Sequence, residues 1–414
     1  MTDGPGGGPE EPGEGDSGTP AEPDAGTATE SDAGPQTEHE TSTSTARETN
    51  TSTARETSTS TGSDDGTLTD GGPADSTRQT TSEQGVSGRA AAAVLGILAV
   101  VPLFVVDAGL TYRARLLVLV LVFAVLTMAL NVVFAHTDQL FLFVGALAGI
   151  SAYATALLAD ALDVTAWLTL PVGALLAGTV GLVASYVAAR RGMTVIVIAI
   201  LTLALQLAAM EFFVGAREIT GGSTGFKFTG LRVPFLEEAL GLSHHLANYY
   251  VLLVLLAGAV LLYRRLMRSK YGLAFDAIRQ DEVAAESIGV DVIRYKTVAG
   301  FTGAAMIGLV GPIYANAERY IQPSMFAFEA VDVLVLIMLV LGGMRTTLGP
   351  IVGAAFVILL NQYLDAFGQW RTAIYGALLV GLFLYFREGV VPKVREVRDA
   401  PDGERAPDVL ERFR

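Results

Sequence analysis

Between residues 90 and 391, apolar runs of roughly bilayer-spanning length follow one another, and nothing else in the chain constrains its fold so tightly. A helix crossing about 30 Å of hydrocarbon at about 1.5 Å per residue needs ~20 mostly apolar residues. Ten runs meet or approach that length: 90–106, 114–134, 140–158, 167–189, 194–213, 247–262, 297–315, 331–341, 350–367 and 374–386. Two are short, and either extend into their flanks or include a re-entrant segment. The expected fold is all-α, a polytopic membrane helix bundle of about ten transmembrane helices.

The first 89 residues are a different material. They hold 18 Asp+Glu and 4 Lys+Arg, whereas the rest of the chain holds 24 of each, so the whole formal charge of −14 sits in this tail. Thr43–Thr49 (TSTARET) recurs at Thr51–Thr57 amid Gly, Pro, Ser, Thr and Glu. Such a segment buries too little apolar surface to offset the entropy of ordering, so a disordered acidic N-terminal tail is expected over 1–89. It lacks the basic start and apolar core of a signal peptide. A membrane domain over 90–390 and a C-terminal tail over 391–414 complete the division.

The absence of cysteine excludes disulfides, thiolate catalysis and iron–sulfur sites. Four scattered histidines (His39, His136, His244, His245) do not make a metal site, and none is expected. No G-x-x-x-x-G-K-[ST] run exists; Gly221–Lys227 is the nearest glycine-rich stretch and its spacing is wrong, so no nucleotide or other cofactor is expected on this chain. Nucleic acid is not an expected partner either.

Basic residues orient the bundle. The richest basic loop carries Arg264, Arg265, Arg268, Lys270, Arg279, Arg294 and Lys296. Setting it in the cytoplasm brings Arg190-Arg191, Arg345, Arg387, Lys393 and Arg395 to the same side, with the acidic turn 160–163 outside. Both termini are then cytoplasmic for an even span count. Arg113 and Arg115 oppose this orientation.

Within that loop, 268–296 (RSKYGLAFDAIRQDEVAAESIGVDVIRYK) is too polar to span. Tyr271, Ala274, Phe275, Ile278, Ala285 and Ile288 nevertheless recur at helical spacing, which predicts one or two short amphipathic helices ending at Gly289, a left-handed cap. From Asp276 to Asp291 one Arg stands against five acids, a face that anionic lipid would repel. Docking into a groove on another protein is the better reading.

Val283–Gly289 (VAAESIG) resembles the EAA---G coupling motif of ATP-binding-cassette importer permeases, with Val at the usual Glu position. The surrounding 271–315, Ile219–Phe226 (ITGGSTGF) and Val331–Ala354 resemble the LivM type of branched-chain amino-acid permease, in the right order over most of 130–386. The resemblance implies a multi-pass cell-membrane transport subunit, not an enzyme. It also implies as partners two ATP-binding-cassette ATPase subunits, a second homologous permease and an extracytoplasmic substrate-binding protein. Glu282, Ala284, Ala285 and Gly289 are the implied ATPase-coupling residues.

One block departs. Where the family has G-Q-L-S-x-G-H, this chain has Asp138–Val144 (DQLFLFV), keeping Gln139. That leaves open urea, short amides or another small polar solute beside branched-chain amino acids. A stand-alone secondary transporter is the alternative of another class; it predicts inverted repeats and paired intramembrane charges, which are not evident. Polar groups inside spans are costly and face a pathway or each other, so Asn131, Gln139, Tyr153, Gln206, Glu211, Asp332 and Asn361 are the substrate-path candidates. Gly145-Ala146 to Gly149 and Gly342-Gly343 read as close helix contacts.

Overall fold

The computed structural model describes residues 90–102, 111–231 and 244–370, with 373–374, 376–377, 380–381, 389 and 391–392. The expected disordered tail, more than half of the tenth apolar run and most of the C-terminal tail lie outside the described residues. Every described residue belongs to one compact unit, Gly71–Arg414.

The helices are α1 (Ala90–Pro102), α2 (Thr111–Thr137), α3 (Val144–Leu162), α4 (Ala166–Arg190), α5 (Val195–Gly215) and the single turn α6 (Arg217–Thr220). There follow α7 (His244–Met267), α8 (Lys270–Gln280), α9 (Glu282–Ser287), α10 (Val292–Glu318), α11 (Asp332–Gly342) and α12 (Gly349–Leu364). A two-residue antiparallel ribbon, β1 (Phe226–Lys227) with β2 (Tyr320–Ile321), pairs Phe226 with Ile321.

Among the described residues, six helices are long and apolar enough to cross a membrane, namely α2, α3, α4, α5, α7 and α10; α1, α11 and α12 are shorter. The differences from the expected spans are physical. The third run begins at 140 by hydropathy, yet 138–143 is non-helical and α3 starts only at Val144. The eighth run forms α11, whose 11 residues extend about 16 Å, half a bilayer. The chain before it, 322–331, is a 3-10 helix (Pro323–Phe326) followed by a turn.

α2 is the central helix: 83% of its most apolar window is buried, against 17% for α5. α10 packs on α2, α3 and α4. Close approach there depends on small residues, as expected where dispersion rather than hydrophobic driving force joins helices in lipid. A Cβ at Gly181 would fall 2.2 Å from that of Ala304, and one at Gly311 would fall 2.2 Å from the Ala148 carbonyl oxygen. Gly311→Ala therefore has to force α3 and α10 apart. It should destabilise the protein by about 1–3 kcal/mol, the usual range for overpacking, read as a lower unfolding temperature of the purified protein.

Arg115 and Glu318 form a two-pronged ion pair, with Nε–Oε1 at 3.0 Å and Nη2–Oε2 at 2.6 Å, joining the start of α2 to the end of α10. One of the two basic residues that opposed the charge-based orientation is thus matched by an acid beside it.

Candidate functional site

Two regions bring the singled-out residues together. The first is the polar loop. Each of its helices opens on a local side-chain cap: Ser269 Oγ accepts from Tyr271 N (3.2 Å), Asp281 Oδ1 from Ala284 N (2.9 Å) and Asp291 Oδ1 from Arg294 N (3.0 Å). α8 turns Phe275 and Ile278 inward, where they are buried. α9 ends at Ile288 and Gly289, whose φ of +89° is a left-handed conformation that suits glycine.

Of the four coupling residues, Ala285 is buried against Ile278 and Val292, so it anchors α9 instead of facing outward. Ala284 and Gly289 are exposed. Glu282 pairs with the ammonium of Lys296, a side chain 4% exposed at the base of α10. Ile288, read from its spacing as part of the inward stripe, is 75% exposed, because the helix has ended and its side chain leaves the inner face. Leu273 and Val283, at 76% and 78%, are likewise apolar side chains of the loop that face outward.

The second region lies halfway along α5. Phe143, at the α3 N-cap position, offers no side-chain acceptor. The first three N–H groups of α3 are satisfied from elsewhere in the chain. Asp332 accepts from Val144 N (2.6 Å) and Gly145 N (3.3 Å), and Gln206 Oε1 accepts from Ala146 N (2.6 Å). Gln206 Nε2 donates to the Phe326 carbonyl (2.8 Å). Gln206 lies one residue past the midpoint of α5, so α3 begins near the mid-depth of that helix. Asp332 is also the first residue of α11, so the N-termini of two short-starting helices, each carrying partial positive charge, meet at one buried carboxylate. The non-helical segment 138–143 reaches this point from the polar-loop side, where Gln139 meets the Lys296 carbonyl, and is held by Thr202 Oγ1, which accepts from Leu142 N (3.0 Å).

Just beyond the junction, Tyr153 packs its ring on Phe213 (centroids 4.8 Å apart), Phe226 (6.0 Å) and Phe326 (6.4 Å). Its hydroxyl is buried with no hydrogen-bond partner among the described residues. Gly145 and Gly149 lie on the same side of α3, against Phe326 and Phe213, in close contact.

The other candidates scatter. Gln139 Nε2 donates to Thr137 Oγ1 (2.8 Å) and to the Lys296 carbonyl (3.1 Å), and its Oε1 meets the Ser185 hydroxyl. Asn131 Nδ2 donates to the Thr346 carbonyl (3.2 Å) and its Oδ1 accepts from Arg345 N (2.8 Å), fixing the turn between α11 and α12. Glu211 is exposed on α5 and Asn361 half-buried on α12. Lys296, Ser185 and Thr202 were not singled out in the sequence. An intramembrane Thr or Ser bonds to its own helix backbone so often that type alone carries no signal. Lys296 reads as one of many loop cations until its burial is known.

Known proteins supply an independent comparison. A sequence profile described as "Branched-chain amino acid transport system / permease component" matches residues 112–386. The chain is similar to the high-affinity branched-chain amino acid transport system permease protein LivM of Escherichia coli K12, at 28% identity over 72% of this chain and 74% of that one. It is similar to LivM of Salmonella typhimurium LT2 at 27% over 66% and 69%. A probable branched-chain amino acid transport permease protein, LivH of Methanocaldococcus jannaschii, matches at 25% over 57% and 76%. No solved structure matches the chain significantly.

Proposed function

Because this chain belongs to the family of branched-chain amino acid transport permease components, a family of membrane transport subunits and not of enzymes, we propose that it is the permease of an ATP-driven importer for branched-chain amino acids. Two separate ATPase subunits would power it, a second homologous permease would complete the pore, and an extracytoplasmic binding protein would deliver solute. The observation that carries this reading is the exposure of the apolar side chains Leu273, Val283 and Ile288 on a loop too polar to cross the membrane. With the exposed Ala284 and Gly289 in the same stretch, this surface is suited to a groove on an ATPase, and the reading puts the loop and both termini in the cytoplasm.

Movement imposed on α8 and α9 has a short mechanical route inward. Glu282 holds the Lys296 ammonium and Gln139 holds the Lys296 carbonyl, so a shift of the loop pulls on 138–143 and hence on the start of α3. Tipping between outward- and inward-facing states would exchange the partners of the mid-depth junction. Asn131, Gln139, Gln206 and Asp332 then serve the transport cycle by holding backbone. Tyr153 is the residue we assign to the solute path, since a buried hydroxyl without a partner is otherwise a net cost. Tyr153→Phe should leave thermal stability equal or slightly raised while raising the KM for uptake about tenfold, a loss of about 1.4 kcal/mol; a lowered unfolding temperature with unchanged KM would reassign the hydroxyl to packing.

The segment Asp138–Val144, with its bulky apolar residues, favours a second reading, in which the same importer type carries urea or a short amide. Co-purification of two ATPases and a second permease tests the importer assignment, because a stand-alone carrier brings down neither. Uptake of radiolabelled leucine against urea then decides the solute.

A further inference from the structure

One stripe of α7 changes character along its length. Ala257, Val260 and Leu261 are apolar; Arg264, Arg265 and Arg268, the next positions on the same face, are basic, and Ser269 follows. α1 lies alongside, fixed by the Tyr249 hydroxyl donating to the Leu98 carbonyl (2.6 Å), and contributes Ala91, Ala92 and Leu95. Between the two helices runs an open groove of about 810 Å³, apolar at one end and basic at the other. Among the described residues neither Arg264 nor Arg265 pairs with a carboxylate, and Arg265 and Arg268 are exposed. Leu261, on the apolar part, is 68% exposed.

We propose that this groove holds an anionic phospholipid of the leaflet on the polar-loop side, with its acyl chains along Ala257, Val260, Leu261 and Leu95 and its phosphate at Arg264, Arg265 and Arg268. The dimensions fit: from Ala257 to Arg268 the helix rises about 16 Å, the span from upper acyl chain to headgroup. Guanidinium groups bind phosphate oxygens in pairs, and an Arg at a membrane surface interacts favourably with anionic lipid. A protein segment would not need basic chemistry confined to one end of an apolar channel. The acidic residues preceding Ala90 could meet the arginines by charge alone, but they would leave the apolar end uncovered. This inference does not depend on the transported solute; only the name of the leaflet, cytoplasmic, rests on the orientation proposed above.

The test uses the full chain in its purified complex, reconstituted in nanodiscs of phosphatidylcholine with one-tenth phosphatidylglycerol, followed by native mass spectrometry of retained lipid. The wild type should retain phosphatidylglycerol in preference to phosphatidylcholine. Replacing Arg264, Arg265 and Arg268 together by Gln should reduce that preference about a hundredfold, from about fivefold per Arg. Leu261→Trp, which fills the apolar end and leaves the charges, should reduce it as well. Excess inorganic phosphate should not displace the lipid. Equal retention by the triple variant overturns the proposal, as does displacement by free phosphate, which would make the site an anion site only. Unchanged lipid retention with altered protease cutting of the acidic segment in the triple variant also overturns it, in favour of that segment as the occupant.

Discussion

Asp332→Leu is expected to remove most folded protein from the membrane. The side chain keeps its approximate volume but offers no acceptor, so the N–H groups of Val144 and Gly145 lose their partner at mid-depth, where water cannot replace it. Each buried donor left unsatisfied costs about 1–3 kcal/mol, so the pair amounts to about 2–6 kcal/mol. That is a large part of the roughly 5–15 kcal/mol by which folded domains are stable. Asp332→Asn, which retains one carbonyl oxygen, should fall between. Thermal unfolding in detergent and membrane abundance read both variants. Asp332→Leu protein as abundant and heat-resistant as wild type would show that the carboxylate does not hold α3, and would return it to the list of groups that meet solute.

The second large effect is expected at the loop and leaves the fold alone. Gly289 has open space around its α-carbon, so a side chain there meets no clash; the cost is its φ of +89°. A left-handed conformation penalises other residues by about 1–2 kcal/mol. Gly289→Ala should therefore loosen the end of α9 slightly and lower uptake a few-fold at most. Gly289→Glu adds a carboxylate beside the exposed Ile288 and Val283, where docking would bury it unpaired. Uptake should fall by at least about tenfold, the equivalent of about 1.4 kcal/mol of lost docking, with membrane abundance unchanged. Normal transport by Gly289→Glu would sink the assignment of this loop as the ATPase contact.

What could be read from the sequence was local. The two short loop helices are marked by apolar spacing and by Ser269 and Asp281, each just before the helix it caps, and Asp291 marks α10 in the same way. Gly289 ends the loop's second helix for a reason visible in one residue. The start of α3 is different. Leu140, Phe141, Leu142 and Phe143 continue the apolar run without a break, so hydropathy places the span too early. Its true beginning depends on Gln206 and Asp332, which lie 60 and 188 positions from the groups they cap. The same limit blurred the solute-path candidates. A buried amide that holds a backbone turn, as Asn131 does, and one that holds a solute have identical signatures in a single sequence.

The distance between α3 and its capping groups also bears on how the protein is made. When α3 leaves the ribosome, its first N–H groups have no local acceptor, and the carboxylate that will take two of them is 188 residues away. At about 5–20 residues per second, that carboxylate arrives roughly 10–40 s later. During this interval the helix has to be retained at an aqueous or chaperoned boundary, or inserted with its start drawn toward the bilayer surface. Biogenesis of this permease is then complete only when α11 enters, and a chain truncated before residue 332 should be recognised as unfinished even though five of its six long helices precede α10 and the sixth ends at Glu318.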